Sequence, residues 1–373
     1  MPSMNRLLLV IKQTAFDSYT AQEVLARTAG RMLTFDRVRM ARLKERHDTH
    51  MFQVERITEM LRERGVHTTS VMRDDVGAEH VRAADLVLAL GGDGTTLIAS
   101  HLIPDHCTPL LGVNTDRASL QDLATLYRSA EPLDMRRSTG HLCACSSVDV
   151  ERVLGDVLEG GMEPTRLARL EVTVAGTTLA PALNDVIVAH PSPGAVSRYS
   201  VRVGGGRSAD GDSPTATEVE SDAGSSAGPA TPLWFHVRSS GLRTCTSSGS
   251  TAAMRSAGGK PMHFTSRRMQ FMDREPIYHD HIPPPSSGHG FYEPGEKMVL
   301  RWNSRVGTIF LDGAHVTHDV KMGDLITLST GGPELRLYTS RWFRRNHADT
   351  WSTRPMREEP ASGAPRGVGG VGV

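Results

Sequence analysis

The chain has 373 residues, enough for two domains with separate cores, and its 42 lysines and arginines are balanced by 42 aspartates and glutamates. That balance leaves no global electrostatic footprint for nucleic acid or an anionic membrane, so any anion site has to be local. No apolar stretch approaches the ~20 residues of a membrane helix, and the first apolar run is too short for a signal-peptide core, so neither a membrane nor nucleic acid is expected as a partner.

In chain order, Leu7 to Ile11 reads as a continuously apolar strand of the kind buried in parallel sheets. From Leu33 to Arg64 the pattern turns helical, with Leu33, Val38, Leu43, Phe52, Ile57, Met60 and Leu61 amid dense charge and Gly65 as the stop. Val66–Met72 and Leu86–Leu90 are two more strands. A helix over Leu97–Leu102 leads to a fourth strand over Pro109–Asn114. Strands alternating with helices predict an open α/β sheet with crossovers, and ligands of such sheets sit outside the carboxyl ends of the strands, where Asp93 and Asn114 both fall.

The rhythm changes after about Ser138. One helical piece near Val148–Leu158 precedes short strands over Leu167–Val174, Ala182–Ala189, Tyr199–Val203, Trp234–Arg238, Lys297–Trp302, Gly307–Leu311, Leu325–Ser329 and Leu335–Tyr338, with Asp312-Gly313 as a hairpin turn. The expected division is therefore an α/β domain over 1–137 and a mainly β domain over 138–345, with the last strand or helix able to return to the first. Residues 204–232, rich in Gly, Ser, Ala, Asp and Thr, read as a disordered insertion, and 346–373 as a tail without a core.

Three stretches carry chemistry-bearing residues. In Gly91-Gly92-Asp93-Gly94-Thr95, between a strand and a helix, the glycines let a ligand approach the backbone, and amides at the helix start can hold phosphate oxygens. Asp93 would repel those phosphates unless it accepts a proton or holds a metal ion; an ordinary turn with a solvated aspartate is the alternative. Asn184-Asp185 interrupts an apolar run and needs partners, which a hydroxyl-rich ligand would supply and a bulge facing water would make unnecessary. Ser239 to Met254 passes from strand to helix through Thr246, Gly249, Ser250, Thr251 and Ala252, a set suited to close approach by a sugar-like ligand or to a capped, tightly packed helix. Arg198, Arg238 and Arg243 adjoin these stretches as candidates for phosphate contact. Cys143 and Cys145 read as packing residues along a strand, His279, His281 and His289 as loop residues, and Met269, Phe271 and Met272 as core. Four cysteines without a CxxC pair or zinc spacing point to a reducing compartment, with no metal ligands among them.

Taken together, the GGDGT turn at 91–95, the Asn-Asp pair at 184–185, and Gly249-Ser250-Thr251-Ala252 followed by Ala257-Gly258-Gly259 resemble the signature set of NAD kinases. Gly112 to Asp116, Arg137 to Cys143, Arg238 to Arg243 and Gln270-Phe271-Met272 look like the NADH kinase branch of plants and algae, and the similarity runs from about residue 5 to 345. The resemblance implies a Rossmann-like N-terminal domain, a β-sandwich-like C-terminal domain and a site in the crevice between them. It implies transfer of a phosphoryl group from ATP with Mg²⁺ to the 2′-hydroxyl of the adenosine ribose of NADH or NAD⁺. Asp93 would be the general base, and Gly91, Gly92, Gly94, Thr95, Asn114, Asn184, Asp185, Thr246, Ser250, Thr251 and Ala252 the substrate and phosphate contacts. Ser240 and Ala253 depart from the wider family pattern of Asp and Tyr, and the lost anion implies a preference for NADH. A homodimer is implied too, and the expected location is cytoplasmic, since Val371-Gly372-Val373 is not a peroxisomal address. A diacylglycerol- or sphingosine-type lipid kinase shares the GGDGT turn, and a dinucleotide sensor without turnover is the non-enzymatic alternative.

Overall fold

The computed structural model describes residues 4–28, 37–104, 107–115, 140–205, 234–277, 288–341 and 343–344. Nearly all of the expected insertion and all of the expected tail lie outside these residues, as do His279, His281 and residues 116–139.

The chain opens with β1 (Arg6–Ile11), α1 (Ala15–Thr28), α2 (Arg37–Glu63), β2 (His67–Met72), α3 (Ala78–Arg82), β3 (Leu86–Gly91), α4 (Asp93–His101) and β4 (Leu110–Asn114). Strands β2, β1, β3 and β4 lie side by side and parallel. The apolar runs read from the sequence are these strands, and β3 and β4 are buried at every position because helices cover both faces. Leu7, Leu9, Leu86, Leu88 and Leu90 meet Val54, Ile57 and Leu61 of α2 on one face. On the other face Leu8, Val10, Val87 and Ala89 pack with Val81 of α3 and Ala99 of α4.

The second region comprises β5 (Cys145–Ser146), α5 (Val150–Leu158), β6 (Thr165–Val174), β7 (Thr177–Thr178), β8 (Asp185–Ala189), β9 (Ser197–Gly205), β10 (Phe235–Ser239), β11 (Gly241–Cys245), a 3₁₀ turn (Gly249–Thr251), α6 (Ala253–Ser256), β12 (Met269–Arg274), β13 (His289–Tyr292), β14 (Glu296–Trp302), β15 (Val306–Leu311), β16 (Val316–Lys321) and β17 (Leu325–Tyr338). An antiparallel sheet in the order β13-β12-β11-β8-β15-β16 faces strands β6, β9, β14 and β17. Between them sits a core built on Trp302, Tyr199, Met298, Leu300, Val186 and Ile309. This is a β-sandwich-like region, and the chain as a whole is α/β followed by mainly β.

Strand β17 joins the two regions. Its first half pairs antiparallel with β14, β6 pairs antiparallel with it from Ile326 to Leu337, and its end, Leu337 and Tyr338, pairs parallel with Leu110 and Leu111 of β4. The sequence reads this segment as two strands split by Gly331-Gly332-Pro333; the structure keeps it as one, with register shifts at Ser329, Gly332 and Leu335. Other differences are local. Helix α4 starts at Asp93 rather than Leu97, α1 and β16 were not foreseen, and His289 belongs to a strand rather than a loop. Cys143 precedes the two-residue β5, and both it and Cys145 are buried, as packing residues should be.

Candidate active site

Helix α4 is entered through Gly92, which is in extended conformation, so Asp93 occupies the first turn where the helix presents its unpaired amides. Asp93 Oδ1 accepts the Leu142 amide at 2.8 Å, tying this turn to the loop that leads into β5. Gly91 closes β3 opposite Asn114 of β4. A Cβ on Gly91 would overlap the Thr95 hydroxyl, whereas one on Gly94 would meet nothing within 4 Å. Gly94 is exposed with open space at its Cβ position, and Gly91 serves the turn itself. Thr95 and Asn114 are both buried and underlie the turn. Gly140, with φ +68°, lies against the Asn114 amide.

Across from Asp93, Asn184 stands just before β8 rather than within it, so its side chain interrupts no ladder. Its backbone is gripped from three directions. The Asp312 carboxylate accepts the amides of Leu183, Asn184 and Asp185 at 2.7, 2.6 and 2.9 Å. The Thr246 amide donates to the Asn184 carbonyl at 2.9 Å, while the Thr246 hydroxyl donates to the Leu183 carbonyl. Gly249 presses on the same backbone, and a Cβ there would overlap the Asn184 carbonyl. Gly249 thus admits a neighbouring strand end and not a ligand.

Asp93, Asn184, Thr251 and Ala252 line one shared cavity of about 350 Å³, within the range of roughly 300–1,000 Å³ usual for small-ligand sites. Five further residues on its wall were not read as site residues: His141, Leu142, Ser248, Ser256 and Phe343. Ser248 and Ser256 flank the hydroxyl-rich stretch, so composition could have included them; Phe343 follows β17 and carried no signal. Two buried polar atoms of this wall, Asn184 Oδ1 and Ser248 Oγ, have no hydrogen-bond partner among the described residues. Leaving such groups unpaired costs about 1–3 kcal/mol each, so the wall is built for a ligand that brings hydroxyls or donors of its own.

Of the residues expected to touch substrate, Gly91, Gly92, Gly94, Thr95 and Asn114 are not among the residues lining this cavity, and the side chains of Thr246, Ser250 and Asp185 are committed elsewhere. The Thr246 hydroxyl is spent on the Leu183 carbonyl. Ser250 Oγ donates to the Ser247 carbonyl at 2.6 Å and accepts the Met262 amide at 2.8 Å, wholly inside the protein. Asp185 points to Arg243, with Oδ2 3.5 Å from Nε; burial pushes its pKa up and the guanidinium opposes this. Arg243 also donates to the Ala253 carbonyl at 3.2 Å. It anchors the start of α6 and does not face the cavity. Arg198 and Arg238, partners across β9 and β10, are exposed away from it.

An acid at the head of a helix, space for phosphates beside it and an amide-and-hydroxyl wall opposite make the site of a phosphotransferase that acts on a hydroxyl. A family model for the ATP-NAD kinase N-terminal domain matches residues 8–124. The probable NADH kinase of Oryza sativa subsp. japonica is 33% identical over 342 residues, covering 90% of this chain and 96% of its own. The NADH kinase of Arabidopsis thaliana is 36% identical over 341 residues, covering 91% and 96%. The chain belongs to the NAD kinase family. A crystal structure of an NAD kinase from Archaeoglobus fulgidus in complex with ATP has the same fold, with TM-score 0.58 and 16% identity over 92% of this chain and 98% of that one. A lipid kinase, which shares the glycine-rich turn and a two-domain plan, leaves this likeness over some nine-tenths of the chain unexplained.

Proposed function

We propose that this chain transfers the γ-phosphoryl group of ATP to the 2′-hydroxyl of the adenosine ribose of NADH or NAD⁺, giving NADPH or NADP⁺ and ADP, with NADH preferred. The observation that carries the reading is the single cavity shared by Asp93, Asn184 and Thr251. A ribose hydroxyl is a poor nucleophile at neutral pH. Asp93 takes its proton as the new O–P bond forms and the bond to ADP breaks, and the amides at the start of α4 favour the phosphate charge nearby. Asn184 Oδ1 and Ser248 Oγ gain their missing partners from the substrate, which fixes the ribose against the acid.

Magnesium enters with the donor. Asp93 is the one carboxylate on the cavity wall, and among the described residues no three His, Cys, Asp or Glu side chains gather as a ligand set. The residues fit an ion held mainly by the triphosphate, which neutralises phosphate charge when bound.

The NADH preference rests on the names of the two plant relatives and on two residues. Ala253, next to the wall residue Ala252, is exposed and offers no polar group. Ser240 lies in the turn between β10 and β11 and carries no charge. Neither supplies an anion for the cationic oxidised ring. A homodimer in the cytoplasm is the setting we propose, the second part resting on four cysteines that form no disulfide. The deciding assay offers purified protein ATP, Mg²⁺ and, in parallel, NADH, NAD⁺ and diacylglycerol. Formation of NADPH with a higher kcat/KM than NADP⁺ is the expected result. A higher value for NAD⁺ would remove the preference, and product from diacylglycerol alone would remove the function.

A further inference from the structure

The residue that fixes Asn184 is itself unusual. Asp312 opens the turn between β15 and β16 with φ +52°, a left-handed conformation that a non-glycine residue adopts at a cost. Its side chain is fully buried, and both carboxylate oxygens are committed: Oδ2 to the Leu183 amide, Oδ1 to the amides of Asn184 and Asp185. Its own amide donates to the Asp185 carbonyl at 2.9 Å. Three consecutive amides on one carboxylate form a clamp, and the middle one belongs to the residue whose Oδ1 stands unpartnered on the cavity wall.

The clamp also touches the other side of the site. His101, the last residue of α4, brings Nε2 to 3.3 Å from Asp312 Oδ2. Asp93 is the first residue of the same helix. Arg169 of β6 holds that helix end by donating to the carbonyls of Ser100 and Ile103 at 2.9 and 2.8 Å. One rigid element therefore carries the acid at one end and abuts the clamp at the other.

We propose that Asp312 is a positioning residue for the dinucleotide: its carboxylate sets the 183–185 backbone so that Asn184 meets the substrate ribose opposite Asp93. This rests on the reading of Asn184 as a substrate contact. The clamp holds all three amides best with the carboxylate ionised, because an oxygen that takes the proton becomes a weaker acceptor and turns a donor toward its amide. Burial pushes Asp312 up to about 7 against the pull of its three amides, and Asp185 on β8 pushes the same way. His101 from α4 is driven down to about 4 by burial, His315 of the hairpin and Arg169, so it adds no positive charge near neutrality; Arg73 acts in turn on His315. Acidification through neutrality thus loosens the hold on Asn184.

The test uses full-length protein with saturating Mg-ATP and NADH as the varied substrate. Asp312→Asn keeps the shape but replaces one acceptor with a donor. KM for NADH should rise about tenfold while KM for ATP stays within twofold. In the wild type kcat/KM for NADH should fall below about pH 7, and in Asp312→Asn that limb should vanish. Asn184→Ala should raise KM for NADH by a similar factor, lose the same limb, and show no further loss when combined with Asp312→Asn. Asn184→Ala with unchanged KM would overturn the substrate role of Asn184 itself. A raised KM in Asn184→Ala with the acid limb intact, a multiplicative double mutant, or an equal rise for both substrates would overturn the clamp alone. The Asn184→Ala pH profile decides the matter even if Asp312→Asn does not fold.

Discussion

The two stretches that wall the cavity, residues 91–95 through Asp93 and 246–252 through Ser248, Thr251 and Ala252, are drawn from the same few residue types, and they are built for opposite purposes. On the first wall the glycine at 94 leaves space that no protein atom fills, and the acid at 93 heads a helix. On the second, Gly249 is filled by the backbone of Asn184, and the hydroxyls of Thr246 and Ser250 close on main-chain groups. The first wall brings one carboxylate to the cavity, with Oδ1 also accepting the Leu142 amide. The second uses most of its own to make a stiff turn, and brings Ser248 and Thr251 to the cavity beside Asn184. Glycine and small hydroxyl residues mark either design, so composition alone cannot separate a cradle from a brace.

The largest effect that would break this contrast comes from Asp93→Asn. If chemistry belongs to the first wall, kcat falls by roughly 10²–10⁴-fold, while NADH binding followed by its fluorescence stays within a few-fold. Loss of binding in step with turnover would mean that Asp93 only holds the site together. A glycine pair sharpens the contrast further. Gly249→Ala forces a Cβ into the Asn184 carbonyl and should destabilise the fold by about 1–3 kcal/mol in urea unfolding. Gly94→Ala has no protein atom to meet and, lying in a helix, should leave stability equal or up to ~1 kcal/mol higher while lowering kcat/KM about tenfold. The reverse pattern would exchange the two roles. Smaller still is the difference between neighbours on the second wall. Ser250→Ala leaves the buried Met262 amide without its acceptor and should cost about 1–3 kcal/mol of stability with little change in KM. Thr251→Val removes a cavity-wall hydroxyl that also donates to the Ser248 carbonyl at 3.5 Å, and should raise KM for NADH a few-fold at a smaller stability cost than Ser250→Ala.

What the sequence disclosed follows the same division. Strands β1, β3 and β4 were legible because burial on both faces demands continuous apolar runs, and Asp93 was legible because an acid among glycines at a strand–helix turn has few structural uses. β16 was not: its faces alternate, but only Val320 is fully buried and His318 stands at an inward position, so the alternation is faint in the residue types. Gly331-Gly332-Pro333 looked like a turn because glycine and proline usually end strands; here Gly332 lies against the Arg169 carbonyl and the pairing resumes beyond it. Within the site, Asn184 was visible as a polar break in an apolar run. Thr246 and Ser250 were misplaced because a hydroxyl that braces its own backbone has the same spacing as one that binds a sugar. Asp312 was legible only as a turn residue, since the three amides it holds lie about 130 positions earlier and meet it only in the folded sheet.

The contrast extends to charge behind the second wall, where the smallest effect is expected. Asp273 of β12 is buried between the sheets and accepts the hydroxyl of Tyr199 on β9, which also meets Ser239 Oγ at 3.0 Å. Burial raises its pKa from 3.8 to about 6, opposed by the tyrosine. The folded chain therefore holds this proton more tightly than the unfolded chain does. Its contribution to stability is complete below about pH 4, is lost as pH rises through 6, and is absent at pH 8. Asp273→Asn cannot ionise and still accepts from Tyr199, so it should be more stable than wild type by about 1–2 kcal/mol at pH 8, with the gap closing toward pH 4. Because Asp273 lies away from the cavity wall, kcat and KM should not move with it. A gap in urea midpoints that widens toward acid would mean that the carboxylate is held ionised, and that the sandwich tolerates a buried charge there.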